Sequence, residues 1–141
     1  MRVLGIDFGE KRIGLAVSDP DGRVATPLET LSRRSDREAI ERISDIARRE
    51  EVERLVVGEP VGLDGKRGRA AERIGSFARK LQDETGLPCQ LVDESLTSVE
   101  AEERLREAGV DPRRHPERID ALAAQILLQQ TLDREQRTGA S

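Results

Sequence analysis

Val3-Leu4-Gly5-Ile6-Asp7-Phe8-Gly9 reads as an apolar strand that carries one carboxylate and then a glycine to its carboxyl end. A residue just past the end of a central strand is held by a rigid sheet yet faces solvent, which is where open α/β folds keep their ligand sites. The plain alternative is that Asp7 only opens a turn with Gly9, as Asp and Gly commonly do. What separates the two readings is whether the rest of the chain brings further carboxylates to Asp7.

Outward from that strand, Ile13-Gly14-Leu15-Ala16-Val17-Ser18 alternates as a second strand, and the short gap makes the pair a hairpin. Asp19-Pro20-Asp21-Gly22 is a turn, and Val24 to Leu28 reads as a third strand, completing an antiparallel meander. Ser35-Asp36-Arg37-Glu38 has the capping-box pattern and opens a helix with Ala39, Ile40, Ile43, Ile46 and Ala47 on one face. Leu55-Val56-Val57 is a strand buried on both faces, ending in Gly58-Glu59-Pro60. A basic loop, Val61 to Gly68, precedes a helix with Ala70, Ala71, Ile74, Phe77, Ala78 and Leu81 on one face, stopped by Gly86 and Pro88. Cys89 to Val92 is the fifth strand, ending in Asp93-Glu94, and Thr97-Ser98-Val99-Glu100 is a second capping box. Two prolines exclude regular structure from Asp111 to Pro116, and the last helix buries Ile119, Leu122, Ala123, Ile126 and Leu127. Asp120 falls in its first turn, and residues after Arg134 read as a polar, frayed tail. The order predicts an α/β fold: a mixed five-stranded sheet of three antiparallel strands and then two parallel ones, flanked by helices.

The chain has 141 residues, enough for one domain over 1–134 with a polar tail at 135–141. Its 24 Lys and Arg against 28 Asp and Glu leave a net charge of −4, so a polyanion partner must be met by local cations or bound metal. No apolar run approaches a membrane span, the chain starts directly on a strand, and Cys89 stands alone. These features predict a cytoplasmic protein with no membrane partner. Within its extended apolar run, Cys89 reads as an inert strand cysteine rather than a nucleophile.

Three strand ends and one helix start carry acids: Asp7, Glu59, the Asp93-Glu94 pair and Asp120. Neighbouring strands lie about 4.8 Å apart, so carboxylates at adjacent strand ends can share divalent cations. Oxygen-only donors suit Mg²⁺ or Mn²⁺. The chemistry that needs such a set is in-line phosphodiester hydrolysis between two metals about 3.5 to 4 Å apart. Glu100, Glu102 and Glu103 read instead as a solvated helix face.

With these residues in view, the chain resembles the YqgF family of RNase H-like nucleases, also called RuvX and related to the RuvC Holliday junction resolvases. The resemblance runs through five ordered blocks: Gly5 to Gly9, Ile13 to Asp19, Val56-Val57-Gly58 with Leu63-Asp64-Gly65, Asp93 to Ala101, and Ile119 to Leu127. It implies an RNase H-like fold in which Asp7, Asp93-Glu94 and Asp120 form the acidic active site. The implied activity is that of a metal-dependent nuclease processing the 5′ end of pre-16S rRNA, with Holliday junction resolution as the older proposal. Two positions depart from the family. Glu59 stands where Leu is usual and where RuvC-type enzymes carry an acid; Ser95 stands where Arg is favoured. The expectation is that Asp7 bridges the metals, Glu94 or Asp93 with Glu59 completes the shell, and Asp120 holds the second metal or the attacking water.

The cations placed to meet a phosphate backbone are Lys11 and Arg12 beside Asp7, Lys66, Arg67 and Arg69 after the fourth strand, and Arg113, Arg114 and Arg118 before Asp120. The groups at Arg33-Arg34-Arg37 and Arg48-Arg49 read as balancing nearby acids, and His115 as a solvated loop residue. Two Phe and no Tyr or Trp argue against reading single strands by base stacking. Structured RNA or branched DNA gripped by its backbone fits better, with the protein a monomer or homodimer. Two rivals remain: an actin-like or sugar-kinase-like ATPase, which needs a second such domain, and a catalytically inactive RNA-binding assembly module.

Overall fold

The computed structural model describes residues 1–9, 11–60, 69–94 and 97–138, without the side chains of 59, 60, 69–71, 94, 97 and 98. The elements are β1 (Val3–Phe8), β2 (Arg12–Ser18), β3 (Ala25–Ser32), α1 (Asp36–Arg49), β4 (Arg54–Pro60), α2 (Arg69–Thr85), β5 (Cys89–Glu94), α3 (Thr97–Glu107), a 3-10 turn (Pro112–Arg114) and α4 (Pro116–Arg137). The sheet runs β3-β2-β1-β4-β5, antiparallel through the meander and parallel from β1 to β5. This is the expected mixed sheet, and it makes β1 the middle strand.

Strand alternation divides the interior into two layers. Leu4, Ile6, Ile13, Leu15, Leu55 and Val57 pack with Ile40, Ile43 and Ile46 of α1 and with Ile74, Phe77 and Leu81 of α2. Val3, Ala16, Val56 and Val92, from the other face, pack with Ala124, Leu127, Leu128 and Leu132 of α4. α4 is buried on a second side as well, where Ala123 and Ile126 meet Ala101 of α3. That second contact explains why α4 carries more apolar positions than one amphipathic face needs.

Ser35 caps α1 as its sequence pattern predicts, its hydroxyl accepting from the Glu38 amide at 3.1 Å. The capping residues at 97 and 98 and the loop at 61–68 lie outside the described side chains. Three expectations on element bounds change. β3 continues to Ser32, because a register shift opposite Leu15/Ala16 breaks the alternation that sequence reading followed. Within the Asp111–Pro116 stretch, Pro112 opens a 3-10 turn whose first residues are capped by Asp111, accepting from the Arg113 amide at 3.0 Å. Finally, α4 is not frayed after Arg134 but runs to Arg137, where Glu135 accepts from both terminal nitrogens of Arg54 at 2.8 and 2.7 Å.

Candidate functional site

Asp7 is the fifth residue of β1 and is 8% exposed, a buried carboxylate in an otherwise apolar strand. Its cross-strand partner is Gly14 of β2. A Cβ at Gly14 would overlap the main-chain carbonyl of Asp120. Side chains of paired strand residues share a face, so Asp7 projects to the layer that holds α4, one cross-strand spacing from the glycine under Asp120. Gly5 repeats the device one turn of pleat earlier, where a Cβ would come within 2.8 Å of the Leu128 Cβ. The two glycines let α4 lie directly on β1 and β2, and that contact lays Asp120, 113 residues further along the chain than Asp7, on the strand partner of Asp7.

Polar bonds fix α4 on the sheet along its length. Near its start, the Thr30 hydroxyl donates to the Glu117 carbonyl at 2.5 Å, and the Arg12 Nε donates to Asp120 Oδ2 at 2.6 Å. Further along, Gln129 accepts from the Ala25 amide at 2.9 Å and donates to the Arg23 carbonyl, while Gln125 donates to the Ala25 carbonyl. Asp120 therefore sits on a helix tied to the sheet at several points along its length.

The remaining predicted acids come to the same sheet edge in two rows. The β4–β5 ladder pairs Glu59 with Asp93 and Pro60 with Glu94. Val92 belongs to the α4-side layer, so Asp93, the next residue, alternates to the opposite face and is exposed. The side chains of Glu59 and Glu94 lie outside the described residues. Among the described residues, no three Asp, Glu, His or Cys side chains group so as to hold a metal ion; the nearest relation is the Asp120 main chain lying on Gly14, the strand partner of Asp7.

The cations divide likewise. Lys11, Arg113, Arg114 and Arg118 are exposed, and Lys11, Arg113 and Arg118 form no ion pair among the described residues. Lys66 and Arg67, and the side chain of Arg69, lie outside them. Arg33, read from sequence as a charge balancer, has another place: its side chain is 9% exposed, lies 4.2 Å above the Phe8 ring, and donates to the Gly9 carbonyl at 3.3 Å. Its amide also donates to the Lys11 carbonyl. Arg33 thus braces the hairpin end next to Asp7, a role visible only once the β2–β3 register puts Ser32 beside Arg12. Phe8, half-buried, packs on the buried Phe77 with centroids 4.5 Å apart. Burial pushes the Cys89 thiol up to about 11, in keeping with an inert strand cysteine.

Comparison with known proteins bears on the fold and the family. The chain is similar to solved RuvC of Thermus thermophilus bound to a Holliday junction substrate, with a TM-score of 0.62 at 21% identity over 98% of this chain and 97% of that one. It is also similar in fold to the fowlpox virus Holliday junction resolvase, with a TM-score of 0.54 at 11% identity over 98% and 99%. Among curated proteins, one from Syntrophus aciditrophicus is 44% identical over 94% of this chain and 89% of its own length. One from Anaeromyxobacter sp. (strain K) is 45% identical over 95% and 98%. Both carry the name "Putative pre-16S rRNA nuclease". The family model described as "RuvX: Holliday junction resolvase" matches residues 1–134, and on that match and these identities the chain belongs to the RuvX family.

Proposed function

We propose that the chain is a metal-dependent nuclease that hydrolyses phosphodiester bonds in structured RNA, with the 5′ end of the pre-16S rRNA precursor as its substrate. The observation that carries this reading is the stacking of Asp120 on Gly14, the strand partner of Asp7, which sets two acids from distant parts of the chain at one sheet edge. Acids gathered there repel one another unless a cation joins them. The donors are all oxygen, which fits Mg²⁺ or Mn²⁺.

Asp7 and Asp120 are two of the ligands in this reading. Position 94, two residues after Val92, belongs to the α4-side row, which favours Glu94 over Asp93 as the third. Glu59, paired with Asp93 along the ladder, would add to this set. When bound, the cations would activate the attacking water and stabilise the leaving oxygen. Asp7, held in the middle strand, fixes where that chemistry occurs, and Asp120 fixes its distance from the helix layer. Lys11, Arg113, Arg114 and Arg118, all exposed, would grip phosphates, joined by Lys66, Arg67 and Arg69, whose side chains lie outside the described residues.

The relatives' name supplies the RNA, and Phe8, stacked on Phe77 and covered by the Arg33 guanidinium, supports backbone-directed binding over base stacking. Among the described residues no helix is long and apolar enough to cross a membrane, and a ribosomal precursor would place the protein in the cytoplasm. The test is a cleavage comparison with Mn²⁺ among a labelled pre-16S 5′ fragment, a single-stranded oligonucleotide and a four-way DNA junction. Preference for the rRNA fragment is expected; preference for the junction would move the reading to resolution, and binding without cleavage to an assembly module.

A further inference from the structure

Arg12 begins β2 and points, with Gly14, to the α4 side of the sheet, where its Nε donates to Asp120 Oδ2 at 2.6 Å. This is the one ion pair Asp120 makes among the described residues. The terminal nitrogens of Arg12 bond no described residue, and its side chain remains 37% exposed against 21% for Asp120. A guanidinium presents a flat fork suited to phosphate oxygens, and here only its inner nitrogen is committed. Arg12 therefore occupies one carboxylate oxygen of Asp120 at a part-exposed position.

A dication arriving at Asp120 Oδ2 and the guanidinium already bonded there repel each other and compete for that oxygen. We propose that Arg12 is a two-position side chain: it closes Asp120 while the cation is out, and on cation binding turns its fork to a substrate phosphate. The proposal rests on Asp120 being a cation ligand, as argued above. It makes Arg12 a sensor of the loaded site, since its charge is released for nucleic acid only after Asp120 is taken. It also differs in sign from an ordinary supporting role. A residue that merely oriented Asp120 would strengthen cation binding, whereas Arg12 opposes it and strengthens substrate binding.

The experiment uses the full chain and two readouts other than turnover. Calorimetric titration with Mn²⁺ compares wild type with Arg12→Gln, Arg12→Lys, Asp120→Asn, the Asp120→Asn/Arg12→Gln double variant and Asp7→Asn. Anisotropy with a labelled RNA duplex in Ca²⁺ is followed over a range of salt. Arg12→Gln should bind Mn²⁺ about three- to tenfold more tightly, as expected for removing a partly exposed charge pair, and bind RNA more weakly by a similar factor. The slope of log affinity on log salt should fall by about one, the contribution of one phosphate contact. Arg12→Lys keeps the charge without the fork, so RNA affinity should hold within about twofold while Mn²⁺ binding tightens less. In the Asp120→Asn background Arg12→Gln should leave Mn²⁺ binding unchanged. Unchanged or weaker Mn²⁺ binding by both Arg12 variants, with wild-type binding still dependent on Asp7, would overturn this inference and leave the nuclease reading standing. Wild-type binding that is absent, or indifferent to Asp7→Asn, would overturn both.

Discussion

Gly14 of β2 lies against the main-chain carbonyl of Asp120 with no room for a side chain, while pairing in register with Asp7 of β1. One glycine thus sets the distance between the two acids. Gly14→Ala must push α4 away from the sheet, and the obstacle is backbone rather than a side chain that could swing aside. The expected loss is about 3 kcal/mol or more of stability, the upper range for overpacking, together with Mn²⁺ affinity. Urea unfolding and calorimetry on the same variant check both.

Arg54 and Glu135 join β4 to the last turns of α4 through two bonds. Removing residues 135–141 would leave the part-buried guanidinium of Arg54, whose Nε has no hydrogen-bond partner among the described residues, without that carboxylate. The truncated chain should lose about 1–3 kcal/mol, the usual cost of stranding a buried polar group. Its midpoint in urea, compared with that of Glu135→Gln in the full chain, measures the share due to this pair.

The architecture was legible because its signals are local. Alternation and apolar runs located all five strands, and Ser35-x-x-Glu38 located the start of α1. What stayed hidden depends on register. The shift opposite Leu15/Ala16 concealed the second half of β3, and only the β2–β3 pairing brings Arg33 over Phe8 and onto Gly9. Asp7 and Asp120 could be singled out as acids at element ends, but the close seating of the Asp120 main chain on the strand partner of Asp7 depends on Gly14, whose significance lies in what it leaves out. Glu135 looked like part of a polar tail because its partner, Arg54, lies 81 residues away.

Asp19 closes the β2–β3 turn by accepting from the Arg23 and Val24 amides at 2.7 and 3.0 Å. Those bonds, Val24 foremost, hold its carboxyl below the ordinary 3.8. A lowered value in the folded state means that the contribution is present above 3.8 and fades as pH falls through the folded value. Wild type should be more stable than Asp19→Asn at neutral pH, with the gap narrowing below 3.8 in acid unfolding curves. A gap that stayed constant down to acid would contradict the turn's dependence on the charge.

Cys89 packs against the α1/α2 side of the core, and burial raises its thiol to about 11. Below that value the native thiol stays protonated, so at pH 8 alkylation by iodoacetamide should be at least tenfold slower than for the urea-unfolded chain, about the tenfold per pH unit by which thiolate falls. Any stability tied to the protonated thiol is present below the unfolded value and lost as pH rises through about 11. Mass spectrometry of quenched samples gives the two rates.

The measurement that bears most directly on the proposed chemistry is cleavage of a labelled pre-16S 5′ fragment with Mn²⁺, with Mn²⁺ and chelator, and by Asp7→Asn. The Asp7→Asn protein should keep its fold, since the amide fills the same volume at a position 8% exposed. Its rate should fall by more than about 100-fold, the upper end of what losing a mere outer-shell partner costs a metal site, and chelator should abolish wild-type cleavage. Wild-type cleavage that survives chelator, or an Asp7→Asn protein that cuts at the wild-type rate, would contradict a cation held at Asp7 and Asp120.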